Sequence, residues 1–471
     1  MRARPLAVVL AVMSLAAFAV AQQTPAAPPP LDGKALGERV DALARPLADS
    51  GALVGFVVGV LDGITRVERA YGAVAHGGAA PDSGTLFEIG SASKVFTGVL
   101  LADAVTRGRV SLDDAVAKHL PESAEMPTFD GTPVLLWHLA THTSGLPRLP
   151  DMTGADEADP YAHFSRDRLL AALPKAKVRW QPGSKYEYSN LGVGLLGEVL
   201  VRVNDAASYD ALLRERIAGP LGMVDTGVVL DDAHRARLAA PFDGDGEPTH
   251  TWDLAALAGA GGIRSTLADM LVFLQANLHP DAAPALGKAL RLAQQERYQP
   301  AEGVAMALGW HFNGSHDALW HNGQTGGYHS WIWLDAANGR AICILANTTS
   351  GLVDRLGERI AKVLAGKPAE PLAVPAVAAV ERAALARCVG VYGQVGGPRL
   401  AVELRERGLF ARLGDQPWLR LYPTAPTEFT LRAADASISF TVGEGQDHAT
   451  LLVLHQNGHD QSFPRVETAV R

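Results

Sequence analysis

Apolar positions change their spacing several times along the chain, and each change predicts an element. Residues 35–47 carry helical periodicity, and residues 53–61 form an unbroken apolar run of buried-strand length. Residues 64–71 read as its hairpin partner. The apolar segment Phe87-Glu88-Ile89 ends at Gly90, where a helical pattern begins at Ser91 and continues through Leu100 and Val105. Ser111-Leu112-Asp113-Asp114 carries a capping signature for another short helix. Helical spacing returns at residues 191–203, 209–217, 265–278 and 285–295, and Gly259 to Gly262 reads as a flexible approach to the third of these. The period then becomes two. Residues 306–312, 318–321, 328–334 and 341–347 read as strands joined by turns such as Asn338-Gly339, and a helix over 352–364 closes the unit. Helices in the middle, with strands before and after, predict an α+β domain whose antiparallel sheet is covered by helices.

Residues 367–378 are Pro- and Ala-rich and read as a linker. After a short helix near 383–388, strands at 400–404, 409–413, 418–422, 429–432, 437–442 and 451–455 recur at about ten-residue spacing, the pattern of a small all-β barrel or sandwich. The expected division is therefore a first domain over 35–366 and a β-domain over 379–471.

Residues 1–21 have the form of a secretory signal. Arg2 and Arg4 precede the apolar run from Leu6 to Val20, and Ala19-Val20-Ala21 is a small-residue cleavage site. A disordered lead-in over 22–34 would follow. An exported chain, periplasmic or secreted, is expected. No later segment is apolar over the length needed to span a bilayer, so no membrane span is expected in the mature chain. A net charge of −8 without a basic block argues against nucleic acid. With 471 residues, 48% of them hydrophobic, the chain has core material enough to fold without disulfide or metal. Its two cysteines, Cys343 and Cys388, fall in different domains and are expected as buried free thiols. His138 and His142 stand four apart on a helical face, but Leu139 and Ala140 leave out the Glu of a zinc-protease motif. They are expected as structural histidines, and neither a metal nor a cofactor is expected.

Three separated pieces carry chemistry. Ser91 would sit at a helix N-terminus, and Lys94, three residues on, falls on the same face. A desolvated amine beside a hydroxyl can take its proton. Tyr188 and Asn190 lie in a turn before a helix; a phenol can relay a proton and an amide can hold a carbonyl. His321-Asn322-Gly323-Gln324 begins at a strand end, where Gly allows a substrate backbone to lie along the edge. The backbone N–H groups of Ser91 and Gln324 would form an oxyanion hole. Each piece also has a plain structural explanation: a helix cap at Ser91 or Asn190, a buried ring at Tyr188, a hairpin turn at Gly326-Gly327. No G-x-S-x-G occurs, so a nucleophile elbow is not offered.

Phe87-Glu88-Ile89-Gly90-Ser91-Ala92-Ser93-Lys94, Tyr188-Ser189-Asn190 and His321-Asn322-Gly323 resemble the three ordered motifs of class C β-lactamases and related penicillin-binding serine hydrolases. Thr141-His142-Thr143-Ser144-Gly145-Leu146-Pro147 and residues 333–347 are also similar, so the resemblance spans about 35–365. The tail resembles the lipocalin-like β-domain often fused to such enzymes, on Leu454-His455-Gln456-Asn457-Gly458 and the strand spacing. The resemblance implies a β-lactamase/transpeptidase-like fold with an all-helical subdomain. It implies an acyl-enzyme on Ser91, with Lys94 and Tyr188 sharing general-base work, Tyr188 activating the deacylating water, and Asn190, His321, Asn322, Gly323 and Gln324 contacting substrate.

Two departures stand out. His321 and Asn322 replace the Lys-Thr usual in the third motif, and Leu149 takes the place of a Gln after Gly145-Leu146-Pro147. Both point towards esterase- or D-amino-acid-peptidase-like relatives. The expected substrate is a small amide or ester: a β-lactam, a D-peptide or a short-chain ester. A protein that only captures peptidoglycan fragments or penicillin, without turnover, is the alternative of another class. If His321 met an anionic substrate, binding would tighten as pH falls through about 6.5.

Overall fold

A computed structural model describes residues 29–156, 158–374, 377–393, 397–414, 418–432, 436–443, 445–456 and 459–466. The signal-like segment and most of the lead-in lie outside the described residues, as do Asn457 and Gly458. The end of the lead-in is already tied down. Leu31 N–H donates to Asp62 Oδ2 at 3.1 Å, and Asp32 caps the first helix by accepting from Lys34 N and Ala35 N.

That helix, α1 (Gly33–Asp49), precedes the hairpin β1 (Gly55–Asp62) and β2 (Thr65–Gly72). A short ribbon pairs β3 (Leu86–Glu88) with β4 (Arg264–Thr266). Between them run α2 (Ser93–Thr106) and α3 (Asn190–Val203), and after them α4 (Leu267–Leu278) and α5 (Gly287–Gln294). Strands β5 (His311–Phe312), β6 (Leu319–Gln324), β7 (His329–Asp335) and β8 (Arg340–Ala346) then lead into α6 (Leu352–Leu364). The strands form a six-stranded antiparallel sheet in the order β2-β1-β8-β7-β6-β5. The N-terminal hairpin thus pairs with the last strand of the domain, which joins the first and last strands of that domain in one sheet.

Both faces of the sheet are covered, which explains why β1 and β8 are apolar without alternation. Val57, Leu61, Cys343 and Leu345 pack into the larger core with α2 and α4. Phe56, Val58, Ile342 and Ile344 pack into a second core with α1 and α6. Each fully buried aliphatic side chain contributes about 1.5–3 kcal/mol, so the sheet is a rigid platform. Asp62 and Arg340, buried together at 2.8 Å, close its far end.

Three sequence expectations need correcting. Residues 259–262 are not a flexible approach: Ala258–Gly261 is a buried helical turn wedged against α3, where a Cβ on Gly259 would sit 3.1 Å from Gly197 Cα. Residues 306–310 form no continuous strand, and β5 holds only two residues. The strand expected at 318–321 runs on to Gln324, so the third motif lies inside a strand, not beyond its end.

The C-terminal part is an eight-stranded antiparallel meander: β9 (Gly390–Gly393), β10 (Arg399–Arg405), β11 (Gly408–Leu413), β12 (Leu419–Ala425), β13 (Glu428–Thr430), β14 (Ala436–Thr441), β15 (Leu451–Gln456) and β16 (His459–Pro464). A bridge between Tyr392 and Arg465 brings its two edges together and nearly closes a barrel around Leu400, Leu421, Phe429 and Leu452. It touches the first domain through Tyr422, whose hydroxyl donates to Asp245 at 2.6 Å, and the linker through Pro423 O, which accepts from Ala378 N–H at 2.7 Å. Cys343 and Cys388 are free and buried. Among the described residues no helix is long and apolar enough to cross a membrane.

Candidate active site

Ser91 sits in a tight helical turn, Gly90–Ala92, that leads into α2. Gly90 has φ 52°, and a Cβ there would lie 2.5 Å from Gln324 N, so this backbone contact with β6 requires glycine. Gly323 is constrained from the other side. A Cβ on it would lie 1.9 Å from Ile89 O, and the Ser330 hydroxyl already donates to that carbonyl at 2.7 Å. Two glycines and one serine thus press the nucleophile turn against the strand edge.

The ladder tells which way the Gln324 amide faces. Thr325 N–H donates to Tyr328 O, so Gln324 and His329 form the next, non-hydrogen-bonded pair. Gln324 N–H therefore points away from β7 and towards Ser91. The first turn of the helix leaves its own N–H groups without intrahelical partners. Ser91 and Gln324 line the same cleft.

Lys94 is 1% exposed, and its Nζ donates to Ser91 Oγ at 2.9 Å and to Ala260 O at 2.5 Å. Among the described residues, none of its hydrogen-bond partners is a carboxylate. Burial first, and the charge of Arg148 second, hold its amine well below the usual lysine range. The Tyr188 hydroxyl neighbours Ser91, and Lys94 Nζ lies 4.7 Å from the centre of its ring. Burial pushes the phenol up, so it stays protonated. The two neighbours of Ser91 are therefore an amine whose hold on its proton is weakened by burial and a phenol whose hold is strengthened.

Asn190 is the first residue of α3. Ser189, not Asn190, is the cap: its hydroxyl accepts from Gly192 N at 2.9 Å and donates to Pro147 O at 2.7 Å. The Asn190 side chain is left for other work, and its Oδ1 is buried without a partner. A narrow cleft is lined by Ser91, Asn190, Gln324, Tyr161 and Trp252. Tyr161 and Trp252 pack edge to face at 5.3 Å as one wall. Glu88, buried and paired with Arg264 at 2.9 Å, accepts from Trp252 N and holds that wall in place.

His321 departs from expectation. It is fully buried, its Nδ1 lies 2.5 Å from Asn322 O, and its ring meets His311 and Tyr188. Burial and the neighbouring His311 and Lys94 keep it well below the ordinary histidine range. It does not line the cleft, so it gives no protonated handle on an anion near pH 6.5. Strand alternation turns Asn322 to the opposite face from His321. Gly323 lies against Ile89 O, and Gln324 lines the cleft beside Ser91.

His138 and His142 each accept a hydrogen bond from the backbone. The helix Leu136–Ala140 ends before His142, which has φ 59°, so His138 and His142 do not share a helical face. His138 Nδ1 accepts from Leu135 N and His142 Nδ1 from Ser189 N, both at 3.0 Å. His142 also stacks on Tyr188 at 4.2 Å. Sequence reasoning missed Tyr161, Arg148, Trp252 and His311, which had no local signal. His311 bonds Tyr186 Oη at 3.1 Å, and burial pushes it down to about 4.

His142, His311 and His321 are held neutral in the fold but protonate in the unfolded chain below about pH 6.5. The unfolded state then binds more protons, so stability falls as pH drops from about 6.5 towards 4. The urea midpoint is expected to be lower at the acid end of that window than above neutrality, and the slope to shrink in His311→Phe. A midpoint constant across the window would contradict buried neutral rings.

The Beta-lactamase family model matches residues 40–367. The chain belongs to the beta-lactamase family. It is 32% identical over 316 residues to the D-alanyl-D-alanine-carboxypeptidase/endopeptidase AmpH of Escherichia coli (strain K12), covering 67% of this chain and 78% of that one. It is also 32% identical over 230 residues to a beta-lactamase of the same organism, covering 48% and 57%. The fold matches a beta-lactamase/D-alanine carboxypeptidase from Yersinia pestis, solved with citrate, at TM-score 0.63 and 26% identity over 71% of this chain and 99% of that one. The chain is thus a serine hydrolase of the beta-lactamase family, with a barrel-like C-terminal sheet.

Proposed function

We propose that this beta-lactamase-family chain is an exported serine hydrolase of the class C kind that cleaves small amides or esters through an acyl-Ser91 intermediate. Peptides ending in D-alanine are its best-supported substrates. The observation that carries the mechanism is the 2.9 Å contact between a buried Lys94, whose pKa burial holds low, and Ser91 Oγ. Support for the substrate is the likeness to AmpH over most of both chains.

In this reading Lys94 takes the Ser91 proton as Oγ attacks the carbonyl carbon. The developing oxyanion is met by the N–H groups of Ser91 and Gln324. Tyr188 gives its proton to the leaving nitrogen or oxygen and regains one from Lys94, so the two groups return to their starting states. Asn190 holds the substrate carbonyl, and Gly323 holds the strand edge close. Water, activated along the same Lys94–Tyr188 pair, then cleaves the ester on Ser91. The signal-like residues 1–21 support export, and the relatives' names fit a cell-wall substrate.

The test is release of D-alanine from acyl-D-alanyl-D-alanine peptides, beside hydrolysis of a β-lactam and of a short-chain ester. Turnover lost in Ser91→Ala is expected. Wild-type protein that binds these ligands and releases no product would favour the capture-only alternative.

A further inference from the structure

We propose that Arg148 is the substrate-binding residue that meets a carboxylate of the substrate, a task left open by the buried ring of His321; this rests on the acyl-Ser91 reading. Relatives with Lys in the third motif can place a cation at the strand, but here that position is a ring enclosed by His311 and Tyr188. Lys94 is buried, and Arg264 is committed to Glu88. Among the described residues, Arg148 is left beside the site with no hydrogen bond or ion pair on its guanidinium.

Its placement is fixed from the backbone. Arg148 O accepts from Asn190 N at 2.9 Å and from Leu191 N at 3.3 Å, which ties its Cα to the start of α3. From there the side chain is exposed and lies over the Tyr188 ring, with Cζ 5.0 Å from the ring centre. An aromatic face holds a guanidinium without using its N–H donors, so the planar fork stays free for a carboxylate. The charge reaches into the site: it acts on Lys94, Tyr188 and Tyr161, which border Ser91. Beyond Leu149, a cleft of about 550 Å³ continues the positive field with Arg168, Lys175 and Lys177 against Asp151, while a fourth cation, Arg179, is paired with Glu187 at 2.7 Å. In a chain of net charge −8 this local reversal favours anionic ligands.

The carboxylate has two sources. It is either the free C-terminus on the leaving side or an acidic group on the acyl side. Both are tested without turnover in Ser91→Ala protein by calorimetry. One pair of ligands is an acetylated D-alanyl-D-alanine peptide with a free C-terminus and its C-terminal amide. The other is the N-succinyl and N-acetyl forms of that amide. The parent is expected to prefer the charged member of one pair, and the pair concerned identifies the side. Arg148→Gln is expected to cut that preference by about 10- to 100-fold, the range of a charge-assisted contact, and Arg148→Lys to keep part of it. No preference in the parent, or an undiminished one in Arg148→Gln, overturns the assignment. A preference that depends on Arg148 in a protein whose wild type forms no product sinks the hydrolase reading instead and leaves this one standing.

Discussion

Lys94→Met is expected to lower kcat by about 10³-fold or more with a much smaller change in KM, the signature of a lost general base. The amine touches Ser91 and lies inside a shell that includes Tyr188, His142, His311 and His321, with no carboxylate to keep it charged. Activity needs the free amine, so kcat falls as pH drops through a value well below the ordinary lysine pKa of about 10.4. Folding weakens this amine's hold on its proton relative to the unfolded chain, which costs stability below the ordinary lysine pKa. Methionine avoids that cost, so the melting temperature of the variant is expected to equal or exceed that of wild type. A thermally weakened Lys94→Met protein would instead trace the lost activity to misfolding. Arg at this position is not expected to rescue, because a guanidinium does not give up its proton.

The second large effect is expected from Gly323→Ala. The added Cβ would sit 1.9 Å from Ile89 O, a backbone atom that cannot swing aside. Either β6 or the Ser91 turn must move, and the Ser91-to-Gln324 amide spacing moves with it. A displacement of about 1 Å at such a site costs about 10²-fold in kcat/KM. Gly314→Ala is the matched control: an added Cβ there meets nothing within 4 Å and its φ is ordinary, so turnover should stay intact. Equal kcat/KM in wild type and Gly323→Ala would remove the strand edge from the catalytic geometry.

These two expectations differ in how much of them was legible in the sequence. Ser91 and Lys94 are three apart at a helix start, and helical geometry alone sets their contact. Gly323 reads locally as a breaker because glycine weakens a strand. Its reason lies in Ile89, more than two hundred residues earlier, so local pattern alone ends the strand at His321. Gly259 misleads in the same way: it allows a close approach of packed segments, not flexibility. His142 fits a helical spacing that its positive φ interrupts. The burial of His321 was invisible because the rings around it, Tyr188 and His311, arrive from other elements. Tyr161 and Trp252 reach the cleft from loops whose course depends on long-range contacts such as Glu88 to Trp252 N. The β-domain, by contrast, repeats a local pattern of short strands and turns, and β10 to β15 were readable strand by strand.

The most direct measurement is mass spectrometry of the protein quenched during incubation with a β-lactam or an activated ester, followed by digestion to locate the adduct. The account predicts one acyl group on the peptide that carries Ser91, absent from Ser91→Ala and much slower to form in Lys94→Met. Folded wild-type protein that stays unmodified, or that carries the acyl group on another residue, would contradict it.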